Sequence, residues 1–297
     1  NISGGQERQS FMASLGYFRN EGLTYGSDLE RYTARLKTDY DAYSFLKVGV
    51  SSSYSHSVAN TQYSTFGIVH NMAPIYPLYM RDANKQIMTD SHGNMYDYGD
   101  GSFAGLNRLI DANDNCVQTD LLDISQNTSN AFNIQGYADA TFLKDFKLTV
   151  NGSVYITENR FHIATNPYYG WNATTGGYVS GSHYRTTDTN FQQLLNYSHL
   201  FGKHNVSAML GHEYSRTTQI EVGGNKSNIA MYEQNTHLDG AITNGTIEGY
   251  ETMYNVEGFF FRGLYDYDSR YFANASFRRD ASSRFHPDHR WGNFWSV

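Results

Sequence analysis

Apolar and polar side chains alternate at every second position through several stretches of this chain. From Leu29 to Tyr40, one set comprises Tyr32, Ala34, Leu36 and Tyr40, and the intervening set comprises Arg31, Thr33, Arg35, Lys37 and Asp39. Successive side chains of a β-strand point to opposite faces, so this period of two predicts strands with one apolar and one polar face. The sequence is therefore predicted to be all-β.

The lengths of the connections separate two all-β architectures. The pattern predicts about ten strands, at Gln9–Phe18, Leu29–Tyr40, Phe45–His56, Ala131–Leu143, Phe146–Thr157, Asn190–Phe201, His204–Arg216, Asn255–Tyr267, Arg270–Arg279 and after Trp291. Tight turns at Asp41–Ser44, Lys144–Asp145, Gly202–Lys203 and Asp268–Ser269 alternate with long polar connections. An outer-membrane barrel has this alternation because its periplasmic turns are short and its extracellular loops are long. A β-sandwich distributes loop lengths over both ends, so a transmembrane antiparallel barrel is favoured.

Composition agrees with a barrel. No apolar run approaches the roughly 18 residues that a membrane-spanning helix needs, so any crossing has to be made by strands. The 25 tyrosines fit the aromatic girdles that barrels place at both membrane interfaces. The alternative interpretation of these rings is a tyrosine-rich, carbohydrate-binding sandwich.

Several classes of function find no support in the sequence. The net charge of -7 and the lack of a basic cluster argue against a nucleic-acid partner. The sequence contains no nucleophile, phosphate-loop, dinucleotide or zinc motif, so we expect neither an enzyme nor a cofactor. The run Asp111–Asn115 begins like a calcium loop, but Cys116 and Leu122 occupy the positions of its glycine and glutamate. His286–His289 is interrupted by Pro287, so no metal site is predicted there.

The two ends predict a piece of a larger barrel. No signal-peptide pattern opens the sequence, residues Ser3–Arg8 are predicted to form a turn entering the first strand, and the last residues begin a new strand. An open set of ten strands would leave two unpaired edges, which lipid cannot satisfy. We therefore expect residues 1–297 to form part of one barrel domain, with an N-terminal plug and further C-terminal strands outside this chain.

Several longer stretches resemble one transporter family. The segment Gly258–Val297 is similar to a stretch typical of the SusC/RagA family of TonB-dependent outer-membrane transporters, and its most specific parts are Phe277–Phe285 and Arg290–Val297. Weaker matches are Ser3–Gly22, Phe45–Val50 and Lys203–Glu213, so the resemblance extends over the whole chain. Ala281 departs from the usual glycine, and Leu264 stands where a polar lumen residue is common. Neither departure changes the assignment, because barrel strands tolerate single substitutions provided that the overall pattern of faces survives.

The resemblance implies a plugged barrel of about twenty-two strands in the bacterial outer membrane. It also implies import driven through the TonB complex, which contacts the absent N-terminal part, together with a SusD-like surface lipoprotein that covers the barrel. Substrates in this family are commonly glycans and in some members peptides. The resemblance therefore implies outer-membrane import, with oligosaccharides as the expected substrates and outer-membrane lipid around the barrel. The alternatives are a secreted sandwich with lectin or glycosidase activity and a passive porin.

The candidate substrate-binding residues are aromatic. They are Tyr168, Tyr169, Trp171, Tyr178 and Tyr184, which the sequence places in one long outward loop. Such rings combine an apolar face with a hydrogen-bonding handle, as stacking on sugars requires. The alternative is that the rings pack the loop against its neighbours or against the lipoprotein. The same alternative applies to Tyr76, Tyr79, Tyr96 and Tyr98 in the longest connection. Arg31, Arg35 and Lys37 are predicted to face the lumen, with no substrate role assigned.

Overall fold

An antiparallel sheet of eleven strands dominates the computed structural model, which describes residues 1–61, 74–99, 108 and 115–297. The strands are β1 (Ile2–Gln6), β2 (Gln9–Glu21), β3 (Asp28–Tyr43), β4 (Leu46–Asn60), β5 (Thr89–Asp90), β6 (Gly93–Asn94), β7 (Ile124–Phe142), β8 (Phe146–Thr165), β9 (Tyr178–Phe201), β10 (His204–Ile229), β11 (Ala241–Tyr267), β12 (Tyr271–Ser282) and β13 (Trp291–Ser296). All except β5 and β6, which form a separate small hairpin, pair in chain order. This is the all-β, up-and-down architecture that the sequence predicts.

Helices are few and short. The described residues form one α-helix, α1 (Cys116–Leu122), and three 3-10 turns at Trp171–Thr175, Leu238–Gly240 and Pro287–His289. The side chain of Asn115 caps α1 by accepting a hydrogen bond from the backbone N–H of Gln118. None of the helices in the described ranges is long and apolar enough to cross a membrane.

The two ends of the sheet differ in the way the prediction requires. At one end, β1 joins β2, β3 joins β4, β7 joins β8, β9 joins β10 and β11 joins β12 through only two or three residues. Left-handed backbone makes three of these turns possible, at Leu143–Lys144, at Gly202 and at Asp268–Ser269. The connections at the other end are longer, and they alternate strictly with the turns.

Two predictions about the strands are wrong. Residues 3–8 do not form a single turn, because β1 pairs with β2 from Ile2↔Ala13 to Gln6↔Gln9, and the sheet therefore has eleven strands rather than ten. Gly4 and Gly5 conceal this strand, since glycine has a low strand propensity and shows no face. Backbone pairing with β2 holds β1 in the sheet, although its side chains show no strand pattern.

The long strands also run further than predicted. β8 continues to Thr165, β9 starts at Tyr178, β10 continues to Ile229 and β11 starts at Ala241, so much of the predicted loops 158–189 and 217–254 is strand. About nine to eleven residues suffice to cross a membrane, whereas β10 and β11 contain 26 and 27. Beyond the membrane both faces meet water, so the alternation of side chains fades while the backbone pairing persists.

The register confirms one apolar and one polar face. Val48, Ala138 and Val150 lie side by side on the apolar face. On the polar face, Gly49 lies between Asp39 and Tyr137, and the Tyr137 hydroxyl donates a 2.6 Å hydrogen bond to the Asp39 carboxylate. A Cβ atom at Gly49 would come within 2.3 Å of the Tyr137 ring. Position 49 therefore requires glycine, because a larger residue would clash with the Tyr137 ring.

An aromatic belt follows the tight-turn end of the apolar face. Ring centroids are separated by 5.6 Å at Phe142–Phe146, 4.9 Å at Phe146–Tyr197, 4.2 Å at His199–Phe201, 4.8 Å at His204–Tyr267 and 6.3 Å at Tyr267–Tyr271. Rings with an apolar body and a polar tip suit a membrane interface. The belt is where the sequence predicts a girdle, at the periplasmic edge of the barrel wall.

Candidate functional site

A small hydrophobic core lies at the long-loop end of the sheet, beyond the part that the sequence predicts to lie in the membrane. It consists of Ala164, Val179, Ile229, Tyr232 and Ala241, and the first two are fully buried. These residues come from the ends of β8, β9, β10 and β11 and from the connection after β10. This core holds the connections 166–177 and 230–240 against the extended strands.

A buried amide and carboxylate fix the start of the candidate loop. Asn166 is 3% exposed, and its backbone N–H and side-chain amide both donate 2.8 Å hydrogen bonds to one oxygen of Asp123. Its own side-chain oxygen accepts hydrogen bonds from the backbone N–H groups of Tyr168 and Tyr169, at 3.1 Å and 2.9 Å. Burial raises the pKa of Asp123, and the bonds from Asn166 oppose that increase. Asn166 thereby sets the directions of both tyrosines.

Tyr168 is used to hold the loop together. Its hydroxyl donates a hydrogen bond to Glu233, its ring stacks on His92 with centroids 4.1 Å apart, and it meets Tyr232 edge-on at 6.2 Å. Burial, and then the bond to Glu233, raises the pKa of Tyr168 to about 12. The same bond lowers the pKa of Glu233. Tyr168 therefore connects three segments of the chain.

Tyr169 has a similar role on the other side of the loop. Its hydroxyl donates a hydrogen bond to Asp90, and its ring lies parallel to that of Tyr98 at 5.9 Å. Tyr98 in turn donates a 2.6 Å hydrogen bond to Gln118 in α1. Burial and the contact with Asp90 raise the pKa of Tyr169. The face and the hydroxyl of this ring are occupied within the protein.

Trp171 differs from both tyrosines. It begins a 3-10 turn and is 68% exposed, and it forms no ring contact with another aromatic side chain in the described part of the chain. Gly176 and Gly177, with φ of 71° and 84°, close the turn in left-handed conformations. The loop therefore presents one large indole to the solvent on a rigid support.

Tyr178 and Tyr184 lie in strand β9, so their predicted position in a loop is wrong. Tyr178 is paired with Thr165, and the backbone N–H of Tyr178 donates a 3.1 Å hydrogen bond to the Thr165 hydroxyl. Tyr184 lies on the polar face between Asn159 and Glu221. Six residues of strand span about 20 Å, so these rings are well separated. The five candidate residues do not converge on one site.

Several partners of these rings lie far away in the sequence. No motif marks these partners, which are Asp123, Asp90, His92, Tyr232 and Glu233. Each lies between 43 and 79 residues along the chain from the ring or amide that it contacts. The tyrosines of the longest connection are likewise used for packing: Tyr79 meets Tyr96 at 4.9 Å, and Arg108 lies over Tyr76 at 4.9 Å. Only a three-dimensional arrangement reveals these contacts.

The polar face carries the predicted lumen cations. Arg31, Arg35 and Lys37 pair with serines of β4, and Lys37 also lies 3.6 Å from Asp39. Residues 111–114 of the calcium-like run lie outside the described residues. Within the described ranges, no three His, Cys, Asp or Glu side chains group in a way that would hold a metal ion.

Comparison with known proteins shows which class of protein the chain resembles. No protein-family model matches the chain. The TonB-dependent receptor P39 of Formosa agariphila is 29% identical over 312 residues, which is 100% of this chain and 27% of that receptor. Receptor P3 of the same organism is 24% identical over 99% of this chain. The fold and these matches make the chain similar to the barrel wall of TonB-dependent receptors of the bacterial outer membrane.

Within that class, the resemblance to the SusC/RagA family is confirmed. The TonB-dependent receptor SusC of Bacteroides thetaiotaomicron is 25% identical over 100% of this chain and 30% of its own length. The solved RagAB peptide transporter superposes with a TM-score of 0.76, at 22% identity, over 99% of this chain and 32% of that one. The ferric citrate transporter FecA superposes with a TM-score of 0.56 at 8% identity, over 99% of this chain and 36% of its own. These two superpositions concern the fold alone.

The chain spans less than a third of the curated relatives that it matches. Their names are those of receptors rather than enzymes, which agrees with the prediction that the chain is not an enzyme.

Proposed function

We propose that this chain contributes to the barrel wall of a TonB-dependent nutrient importer. The observation that carries the proposal is the whole-length similarity to curated TonB-dependent receptors, together with the strict alternation of tight turns and long connections. The short coverage of those receptors supports a further part of the proposal. Residues 1–297 form part of one barrel domain of about twenty-two strands, and a plug and additional strands lie outside this chain.

The proposed partners are a SusD-like surface lipoprotein on the outside and the TonB complex on the periplasmic side. The resemblance to SusC and to RagAB supports both. The lipoprotein would contact the long-loop end, where Leu121, Trp171 and Met231 are all more than half exposed. These three side chains project from segments joined through Tyr232, which contacts Tyr168 and donates a hydrogen bond to the Leu122 carbonyl. An apolar patch on a fixed support suits protein contact.

Oligosaccharides are the substrates that we propose first. Trp171 has a free indole face, and Tyr184 stands on the polar face beside Asn159 and Glu221, as sugar contacts require. Tyr168 and Tyr169 support this less, because their rings and hydroxyls are engaged within the protein. A second candidate is a peptide, which the similarity to the RagAB peptide transporter favours.

Growth of the source bacterium tests the proposal. Deletion of the complete gene should abolish growth on one oligosaccharide mixture as sole carbon source, and inactivation of TonB should give the same defect. The gene restored with its own promoter should reverse the first defect. Growth lost only on peptides would select the second candidate. Unchanged growth on both, or uptake that persists without TonB, would contradict the proposed importer.

A further inference from the structure

A polar cluster interrupts the apolar face at one place. Gln193, His212 and Phe259 are neighbours across β9, β10 and β11, and Arg279 follows on β12. His212 forms hydrogen bonds to Gln193 at 2.6 Å and to Glu257 at 3.1 Å. An ionisable group on a lipid-facing surface is costly and marks a functional site more often than not. The side chains of this polar cluster come from four strands.

An apolar groove of about 410 Å³ borders the cluster on its periplasmic side. The groove is lined by the row Leu148, Leu195, Leu210, Phe261 and Phe277, with Gln193, His212 and Phe259 at its upper margin. His212 is eight residues from the start of β10, which places it about 20 Å above the tight turn on a tilted strand. The cluster thus lies in the outer half of an apolar band about 25 Å tall. A lipid in the outer leaflet has the same order, with apolar acyl chains below and a polar headgroup above.

Arg279 supplies an uncompensated charge at the upper margin. Its guanidinium lies over the Trp291 ring at 5.0 Å, and Trp291 pairs with Ala281, two residues nearer the extracellular end. The side chain therefore points upward, as a cation does when it reaches for the interface. Among the described residues no ion pair includes Arg279. Its neighbour Arg278, on the polar face, has Asp280 at 2.7 Å and Glu213 at 3.5 Å.

The segment next to Trp291 adds positive charge. Residues 284–290 contain two arginines and two histidines against one carboxylate, Asp288, which lies 3.6 Å from His286. Arg290 directly precedes Trp291, and its carbonyl accepts a hydrogen bond from the backbone N–H of Ser282. This segment stands at the extracellular end of β12 and β13. Basic groups at an interface attract anionic lipid headgroups.

We infer that this face binds a phosphate-bearing lipid of the outer leaflet, with its acyl chains along the groove and its phosphate at Arg279. The inference rests on the proposed function, because only a barrel in the outer membrane exposes this face to lipid. His212 holds the Gln193 side-chain oxygen, so the Gln193 amide N–H can donate a hydrogen bond to the polar part of the lipid. A phosphate is favoured because it matches an arginine without a carboxylate partner.

Thermal unfolding of the purified full-length transporter tests the inference in neutral detergent with phosphatidylglycerol, phosphatidylcholine or inorganic phosphate added. Phosphatidylglycerol alone should raise the unfolding temperature. Arg279→Gln should raise its half-saturating concentration about fivefold, and Arg279→Lys should raise it less. Arg262→Gln is the matched control, because Arg262 is exposed on the polar face of β11.

Three results would overturn the inference: equal stabilisation by phosphatidylcholine, equal stabilisation by free phosphate, or equal sensitivity of the Arg279 and Arg262 variants. Membrane fractionation and heat-modifiable migration are measured first on the same preparations. A protein that is absent from the outer membrane would contradict the proposed function. A folded barrel without preference for the anionic lipid contradicts only the lipid site.

Discussion

Each long strand has a lower part, next to the tight turns, and an upper part, next to the long connections. The two parts are stabilised in different ways. Below, each strand contacts its two neighbours, one face is polar, and the other carries an aromatic belt with few buried side chains. Above, Ala164, Val179 and Ile229 are buried beneath a folded connection. Lipid can cover the lower apolar face, whereas water surrounds the upper part on both faces. The extension of the strands therefore needs a hydrophobic core of its own, and the membrane part does not.

The sharpest test of this division is sidedness. With Cys116 first changed to serine, a cysteine at Thr175, which is exposed in the upper connection, should react with an impermeant maleimide on intact cells. A cysteine at Asp145, in the tight turn between β7 and β8, should react only after the cells are opened. Labelling at Asp145 but not at Thr175 would reverse the orientation of the barrel wall.

The apolar face of the lower part should reject charge. Val50→Arg places a cation on the face that lipid covers and should cost about 2–4 kcal/mol of folding free energy. Ser51→Arg, the adjacent residue on the polar face, should cost much less. Urea-dependent folding of the full-length protein into bilayers measures both variants. Equal costs would mean that the two faces have been assigned incorrectly.

Trp171 tests whether the upper part binds substrate. If the indole stacks on substrate, Trp171→Ala should weaken ligand affinity by roughly 1–3 kcal/mol, because a large exposed ring is lost at a contact. Titration of the full-length transporter with its lipoprotein, beside a co-purification assay, separates binding from assembly. Tyr43→Ala, an exposed ring at the opposite end of the sheet, is the control. Normal affinity with impaired co-purification would assign Trp171 to the lipoprotein contact instead.

The upper part should also loosen independently of the lower. Asn166→Ala removes the side-chain hydrogen bond to Asp123 and the side-chain oxygen that accepts the backbone N–H groups of Tyr168 and Tyr169, at a local cost of about 1–3 kcal/mol. Hydrogen exchange in residues 166–177 should rise, while exchange in the lower halves of β8 and β9 stays slow. Thr174→Ala is the exposed control in the same turn. Faster exchange throughout both strands would show that the two parts unfold together.

The smallest effect concerns pH. The lowered pKa of Glu233 means that its bond to Tyr168 contributes above about pH 4.5, the ordinary value, and is lost as pH falls below it. The raised pKa of Tyr168, to about 12, means that its contribution is complete below pH 10 and is lost as pH rises through 12. Exchange in residues 230–240 should therefore rise at both extremes, and Tyr168→Phe should flatten the dependence. A variant with an unchanged profile would exclude this bond as the cause.

The sequence predicts the lower part far better than the upper. Residues such as Val48 and Lys47 show which face meets lipid, because the two faces of each strand contact two different solvents. β1 and the extension of β9 show no such alternation of side chains, so the sequence does not predict either of them. The upper loops depend on Asp123 meeting Asn166 and on Tyr168 meeting Glu233, pairs separated by 43 and 65 residues. No local pattern specifies which distant partner a polar side chain finds.

The pairing of strands in chain order has a consequence for assembly of the wall. Five of the ten connections in the sheet close through two or three residues, and all eleven strands pair in chain order. Each new strand can therefore add to the edge of the strand made just before it, and the search for partners stays local. The step from β4 to β7 is the longest of the other five, because it closes over residues 61–123. That closure costs about 3 kcal/mol more chain entropy than a two-residue turn. We therefore expect β1–β4 and β7–β13 to form as two separate sheets, and their joining to be the slow step of insertion.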